Sequence, residues 1–431
     1  MDPILTGFVG LAALFGLVAF GMPIGFAMGL VGFAGFAYLL SFHAAVVKLG
    51  VISFDLATNY AIGTVPLFIF MAHVLFASGI GRDLYDFAEH WLGRRRGGLA
   101  MATIGASAGF ASVSASSLAT TATMGLVALP EMRKHGYDVS LASGSVAAGG
   151  TIGSLIPPSG MFIIFGILTE TSIGKLFAAG IVPGILLALF YIAAIAIICR
   201  LRPEAGPRGP VRTWDEKLRS LRKTGEVIVL FALVMGGILL GWFTPTEAGA
   251  VGAFGAILIS LARRRLTWKA AKEAIYATVK TTGMIFGILF GAFMFNSFVT
   301  VTTIPLMIVG FVTESGLEPM LVLLLILAVY LVLGMILDAS AMMTLTVPLF
   351  FPLVTQLGFD AILFGVLVVR MTEIALITPP VGMNVYVLSG IASDIPLDKM
   401  FKGTLPFVMA DILHVALLLA FPILVLWLPN L

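Results

Sequence analysis

The chain has 431 residues, of which 59% are hydrophobic and only 11% charged, with a formal net charge of +3. A water-soluble fold of this length cannot hide so much apolar surface, so the chain reads as an all-α integral membrane protein. One cysteine, Cys199, excludes an internal disulfide framework and a cysteine metal cluster, and the gathering of Lys and Arg in a few loops points to membrane orientation rather than nucleic acid.

Apolar runs near twenty residues match the hydrocarbon thickness of a bilayer, and the first predicted spans cover 4–22 and 24–41. No Lys or Arg precedes Lys48, so this region is expected to stay as spans rather than act as a signal peptide. Segment 43–58 carries scattered charge and is expected to lie at the interface; a span follows at 60–80. The apolar stretches 98–112 and 118–130 flank the small polar run Ser114–Ser117 and predict a helical hairpin that enters the membrane halfway and turns back. Next comes a helix broken in its middle, 139–149 and 160–169, because Pro157-Pro158 removes backbone donors and disfavours helix just before it. A span at 176–199 closes a first half, 1–199, and a basic linker occupies 200–224.

The second half, 225–431, opens with predicted spans 225–243 and 246–262, an interfacial segment 267–280 and a span 281–299. A second hairpin, 319–333 and 341–354, flanks Leu337-Asp338-Ala339-Ser340. A second broken helix, 360–373 and 383–393, follows around Pro379-Pro380, and the last span covers 404–428.

These halves repeat. Residues 112–161 align without a gap onto 334–383, and eleven of the fifty positions are identical, among them Pro130/Pro352, Gly136/Gly358, Asp138/Asp360 and both diprolines. Five crossings separate Pro130 from Pro352, and an odd number inverts the second unit relative to the first. The clusters Arg94–Arg96, Arg133-Lys134, 200–223 and Arg263–Arg265 all fall on the cytoplasmic side if the N-terminus lies outside. Paired broken segments of this kind are the mark of a secondary transporter, with its site where the breaks meet.

Irregular backbone at membrane depth must line a cavity or be buried in protein. Carbonyls freed at helix C-termini can hold a cation there, while free N–H groups at N-termini face an anion. Na+ prefers oxygen ligands. Ser114, Thr151 and the carbonyls of Gly153, Ile156 and Pro158 supply them in the first unit, and Ile336, Ala375, Thr378 and Pro380 stand at the symmetric places. Two cation sites flanking one substrate follow, with Ser116, Ser117, Ser159, Asp338, Ser340, Arg370 and Asn384 as candidate substrate contacts. Simpler roles compete with these: helix packing for the small residues, N-capping for Asp338, Ser159 and Asn384, and a local Arg370–Glu373 pair at i, i+3. The five histidines show no ligand spacing. There is no His-Glu-x-x-His, no Gly-x-Ser-x-Gly, and Gly174-Lys175 lacks the rest of a Walker A loop, so an enzyme is not expected.

The strings Gly150-Thr151-Ile152-Gly153-Ser154-Leu155-Ile156-Pro157-Pro158-Ser159 and Glu373-Ile374-Ala375-Leu376-Ile377-Thr378-Pro379-Pro380-Val381-Gly382-Met383-Asn384 resemble the large membrane subunit of TRAP transporters, the DctM-type permeases. Phe20-Gly21-Met22-Pro23-Ile24-Gly25-Phe26-Ala27 also matches that family's habit, and the likeness covers nearly the whole chain. Ala375 stands where the family pattern has Gly, and Gly160 where it has a bulky aliphatic. The resemblance implies a sodium-driven, elevator-type importer of an organic acid anion (a C4-dicarboxylate, a sialic acid or a similar acid) in the bacterial cytoplasmic membrane. It also implies two partners, a periplasmic substrate-binding protein and a small four-helix membrane subunit. A self-sufficient sodium/dicarboxylate symporter would carry Ser-Asn-Thr at its hairpin tips, where this chain has Ser116-Ser117-Leu118 and Ser340-Ala341-Met342. An ion channel is the alternative of another class.

Overall fold

The computed structural model describes residues 2–114 and 116–431. α1 (Pro3–Ala19) begins on a proline that has no donor to lose there, and a turn through Gly21 and Pro23 leads into α2 (Ile24–Leu39). α3 (Phe42–Thr58) is capped by Ser41, whose hydroxyl accepts from the Ala44 amide. α4 (Thr64–Ala77) follows a 3-10 turn, and α5 (Ile80–Leu92) is amphipathic, burying Ile80, Leu84 and Ala88. Then come α6 (Gly98–Ser114), α7 (Ser117–Lys134), α8 (Val139–Thr151), α9 (Gly160–Thr169) and the 29-residue α10 (Ile173–Leu201). α11 (Trp214–Leu239) and α12 (Pro245–Ala262) each start on a capping box, Thr213 with Glu216 and Thr244 with Glu247. The Thr213 amide and hydroxyl hold the Glu216 carboxylate below its ordinary range.

α13 (Trp268–Val301) has 34 residues. It is about 51 Å long at 1.5 Å per residue, so 267–280 is no separate interfacial segment but the first part of the same helix as 281–299. No proline interrupts it, and its early Lys and Glu residues mask the continuity in sequence. The chain continues through α14 (Ile304–Glu314), α15 (Pro319–Gly334), α16 (Ala339–Gln356), α17 (Ala361–Ala375), α18 (Met383–Ile391), α19 (Leu397–Ala420) and α20 (Ile423–Leu426). Pro422 ends the last long helix, which begins seven residues before the predicted span. The interhalf segment is also shorter than expected, because α10 runs to Leu201 and α11 starts at Trp214.

That segment is strapped down. The Gly97 amide donates to the Gly206 carbonyl at 2.8 Å, the Asp138 amide to Ala205 at 2.9 Å, and the Tyr137 hydroxyl to Pro207 at 2.8 Å. The turns α5–α6 and α7–α8 are thereby joined at one end of the first half.

The helices form two groups. In one, α2 packs along α13, and α4 along α12 and α13, with α1, α3 and α11 alongside. The α2–α13 contact is backbone to backbone: a Cβ on Gly291 would meet the Gly25 carbonyl oxygen at 1.9 Å. In the other, the α6–α7 pair packs on α8, α8 on α19, and α10 on α17 and α19, with α15 and α16 against α17. Here α8 and α19 touch at Gly144 and Gly403, and a Cβ added to Gly144 would lie 2.1 Å from the Gly403 carbonyl oxygen. α5 bridges the groups, packing on both α6 and α11. Among the described residues six helical stretches are long and apolar enough to cross a membrane: Tyr60–Ala77, Ile173–Leu201, Pro245–Ala262, Trp268–Val301, Ala339–Gln356 and Leu397–Ala420.

Candidate functional site

Between the two groups lies a cavity of about 470 Å³. Its first wall is apolar, built by Val65, Phe68, Ile69 and Phe76 of α4 with Met284 and Ile285 of α13, and only His73 and Thr281 add polarity. Its second wall is made by both hairpin tips and the two helix breaks, and carries Ser114, Ser116, Ser117, Ser154, Asp338, Ser340 and Glu373. Among the described residues no Lys or Arg lines it.

At the first tip, α6 stops at Ser114 and α7 starts at Ser117, with Ser116 capping α7 through the Ala119 amide. The Ser114 and Thr120 hydroxyls share a 2.7 Å hydrogen bond, and Thr120 also donates to the Ser116 carbonyl at 2.8 Å. Gly153, in the 3-10 turn Ile152–Ser154 of the first break, allows this oxygen cluster to come close. A Cβ there would sit 3.0 Å from the Thr120 hydroxyl and 3.1 Å from the Ser116 carbonyl. At the second tip, Asp338 accepts from the Ser340 and Ala341 amides, capping α16 while it faces the cavity.

The walls converge on a carboxylate that sequence reasoning assigned elsewhere. Glu373 is buried near the end of α17, and the Ser117 hydroxyl donates to its Oε2 at 2.6 Å. Ser117 in turn lies 2.9 Å from the Ser154 hydroxyl. Two hydrogen bonds of Ser117 thus join the first tip, the first break and the second broken helix. Glu373 does not pair with Arg370. That guanidinium, fully buried, pairs instead with Asp411 of α19, whose Oδ1 also accepts from the Tyr191 hydroxyl at 2.6 Å. Tyr191 is 2.9 Å from the Thr151 hydroxyl, and His414 lies 3.0 Å from the Pro183 carbonyl. Sequence reasoning missed Asp411, although it is the one acidic residue of the apolar stretch 404–428 and such residues are conspicuous in lipid.

Of the candidates, the structure brings Ser114, Ser116, Ser117, Asp338 and Ser340 to the cavity. The others lie behind it or away from it. Thr151, Gly153, Ile156, Pro158 and Ala375 are buried in the breaks, and Ser159 caps α9 through the Phe162 amide. Thr378 donates to the Ile374 carbonyl, Pro380 is exposed, and Ile336 is 71% exposed. Asn384 is buried and donates to the Ala147 carbonyl at 3.1 Å, tying the second break to α8. Among the described residues no group of three or more His, Cys, Asp and Glu side chains could hold a metal. Any cation here would therefore rely chiefly on hydroxyl and carbonyl oxygens, with at most the single carboxylates Asp338 and Glu373 beside them.

Broken helices meeting at a cavity between two helix groups define a multi-pass membrane transport protein. The sequence matches the family described as "Tripartite ATP-independent periplasmic transporter, DctM component" over residues 11–424. It is 36% identical over 93% of both chains to the C4-dicarboxylate TRAP transporter large permease protein DctM of Pseudomonas aeruginosa. It is 32% identical over 96% of both chains to the sialic acid TRAP transporter large permease protein SiaM of Vibrio cholerae. The YdaH transporter of Alcanivorax borkumensis shares the fold, with a TM-score of 0.62 and 14% identity over 91% of this chain and 90% of that one. The chain belongs to the DctM family of TRAP transporter large permeases, and it is a transport subunit rather than an enzyme.

Proposed function

We propose that this chain imports an organic acid anion together with Na+ across the bacterial cytoplasmic membrane. A C4-dicarboxylate, a sialic acid or a similar acid is the substrate class that its relatives' names support. A periplasmic binding protein delivers the substrate, and a small four-helix membrane subunit accompanies the permease. One observation carries the coupling: the cavity presents Asp338 and Glu373 and, among the described residues, no Lys or Arg. An anion entering such a site meets repulsion unless cations arrive with it. The oxygen cluster of Ser114, Ser116 and Thr120 supports one cation place, and the corresponding tip at Asp338 a second. Two halves of opposite orientation, with the group carrying α6–α9 and α15–α18 moving against the group carrying α4 and α13, would expose this cavity to each side in turn.

The test is uptake by proteoliposomes containing the permease, its membrane subunit and its binding protein. Uptake should saturate with substrate and vanish when Na+ is replaced by K+. Each net positive charge moved inward is favoured by about 2.3 kcal/mol per 100 mV, so an inside-negative potential should accelerate it. Full uptake without Na+ would refute the coupling, full uptake without the binding protein would indicate a self-sufficient symporter, and non-saturating flux a channel.

A further inference from the structure

Away from the transport cavity, at the ends of α5, α11 and α12, lies a second cavity of about 430 Å³ lined by Asp83, Arg219, Arg222, Lys223, Glu226, Arg263 and Arg265. Its two acids are already engaged. Asp83 accepts from Arg263 and Arg265 at 2.7 Å each, and Glu226 accepts from Arg263 at 2.8 Å. Arg263 also donates to the Lys223 carbonyl, which fixes the end of α12 against α11. Arg219, Arg222 and Lys223 form no ion pair or side-chain hydrogen bond among the described residues. They are not simply spread over a solvated helix. With Glu226 they occupy positions i, i+3, i+4 and i+7, one stripe of α11, while Ser220, Thr224 and Val227 form its buried face.

We infer that this cavity binds the phosphate headgroup of an anionic phospholipid. Unneutralised cations gathered around one hollow attract a phosphate, and arginine matches its oxygens with paired donors. The surroundings select a lipid over a free anion. On α11, Val229 and Leu233, 66% and 42% exposed, stand three and seven residues beyond Glu226 and continue the same stripe. Apolar side chains thus leave the cavity along α11, where acyl chains would lie. Basic pockets between membrane helices are known to serve anionic headgroups in this way. Because Arg263 ties Asp83 of α5 to Glu226 of α11, and α5 also packs on α6, a bound lipid would brace the helix that joins the two groups.

The test uses the full chain purified in detergent with whatever membrane subunit stays bound, titrated with dioctanoyl-phosphatidylglycerol, dioctanoyl-phosphatidylcholine or inorganic phosphate. Melting temperature and native mass spectrometry are the readouts. Phosphatidylglycerol should bind saturably and raise the melting temperature, and the other two should not at the same concentration. Arg222→Gln should weaken it about fivefold, and Arg219→Gln/Arg222→Gln/Lys223→Gln on the order of a hundredfold. These side chains are exposed, so the unliganded melting temperature should hold, and the single variant reports if the triple one does not fold. Equal binding of phosphatidylcholine, or unchanged binding by the variants, overturns the assignment. A phosphate response matching the lipid's would make it a free-anion site, and loss of the membrane subunit with lipid binding intact would make it a protein contact; either result overturns the lipid reading.

Discussion

At the scale of single residues, capping and charge can be separated at Asp338. Its carboxylate caps α16 and faces the cavity, and asparagine caps a helix about as well as aspartate. Asp338→Asn should therefore keep the melting temperature within a few degrees while uptake falls at least about tenfold and the half-saturating Na+ concentration rises, each tenfold corresponding to about 1.4 kcal/mol of ion binding. Wild-type uptake and Na+ dependence would leave the residue a cap alone. The Arg370–Asp411 pair calls for a different experiment, because removing one partner strands a buried charge. Asp411→Asn should cost about 3–5 kcal/mol of stability, whereas replacing both by Arg370→Met and Asp411→Leu should recover most of it. If that double variant is folded but inactive, Arg370 does more than hold α17 to α19; retained uptake would confine it to structure. What could be read from one sequence here was backbone chemistry. Asp138 and Asp360 were visible as a shared position and both cap the start of a broken helix, through Leu141 and through Ile362 and Leu363. Glu373 meeting Ser117 was not visible, since 256 residues separate them and nothing local marks the contact.

Among the elements, tight turns and stops were the legible part. The second-half break lies where Pro379-Pro380 removes donors, α17 ending at Ala375 and α18 starting at Met383 behind Gly382 at φ 59°. Gly136 and Gly358, paired in the repeat, both take positive φ in the turns after α7 and α16. Helices α5 and α14 went unread because one is amphipathic and the other is only 11 residues long. Helix contacts made through glycine are equally silent in sequence, and they carry a prediction. A Cβ at Gly403 would fall 1.9 Å from the Ser140 carbonyl oxygen, with backbone on both sides and no side chain to swing away, whereas one at Gly283 has nothing within 4 Å. Gly403→Ala should push α19 off α8 and lower stability by about 1–3 kcal/mol. Gly283→Ala should be neutral or slightly stabilising, since alanine favours helix by up to about 1 kcal/mol. Thermal melts of the two purified variants check both, and equal melting temperatures would show that the α8–α19 contact is not tight.

For the whole molecule the question is orientation, because alternating access by two related halves requires them to face opposite ways. Between the first hairpin and the second, the proposed map has α8 with α9 as one interrupted crossing, then α10, α11, α12 and α13 as four more. At 11 residues α14 is about 16 Å long and cannot cross a hydrocarbon core of about 30 Å. Five crossings would place the two hairpin mouths on opposite sides. The basic strap between α10 and α11 and the turn after α12 should then share the cytoplasmic side with the α5–α6 turn, and Glu318 at the start of α15 should lie outside. Cysteine labelling reads this directly, and the chain is suited to it, because its native thiol at Cys199 is only 1% exposed. In intact cells Glu318→Cys should react with a membrane-impermeant maleimide, and Arg95→Cys and Arg208→Cys only with a permeant one or after lysis. If Arg208→Cys reacts from outside together with Glu318→Cys, the number of crossings between them is even, the halves are parallel, and a mechanism that exchanges their roles across the membrane no longer follows.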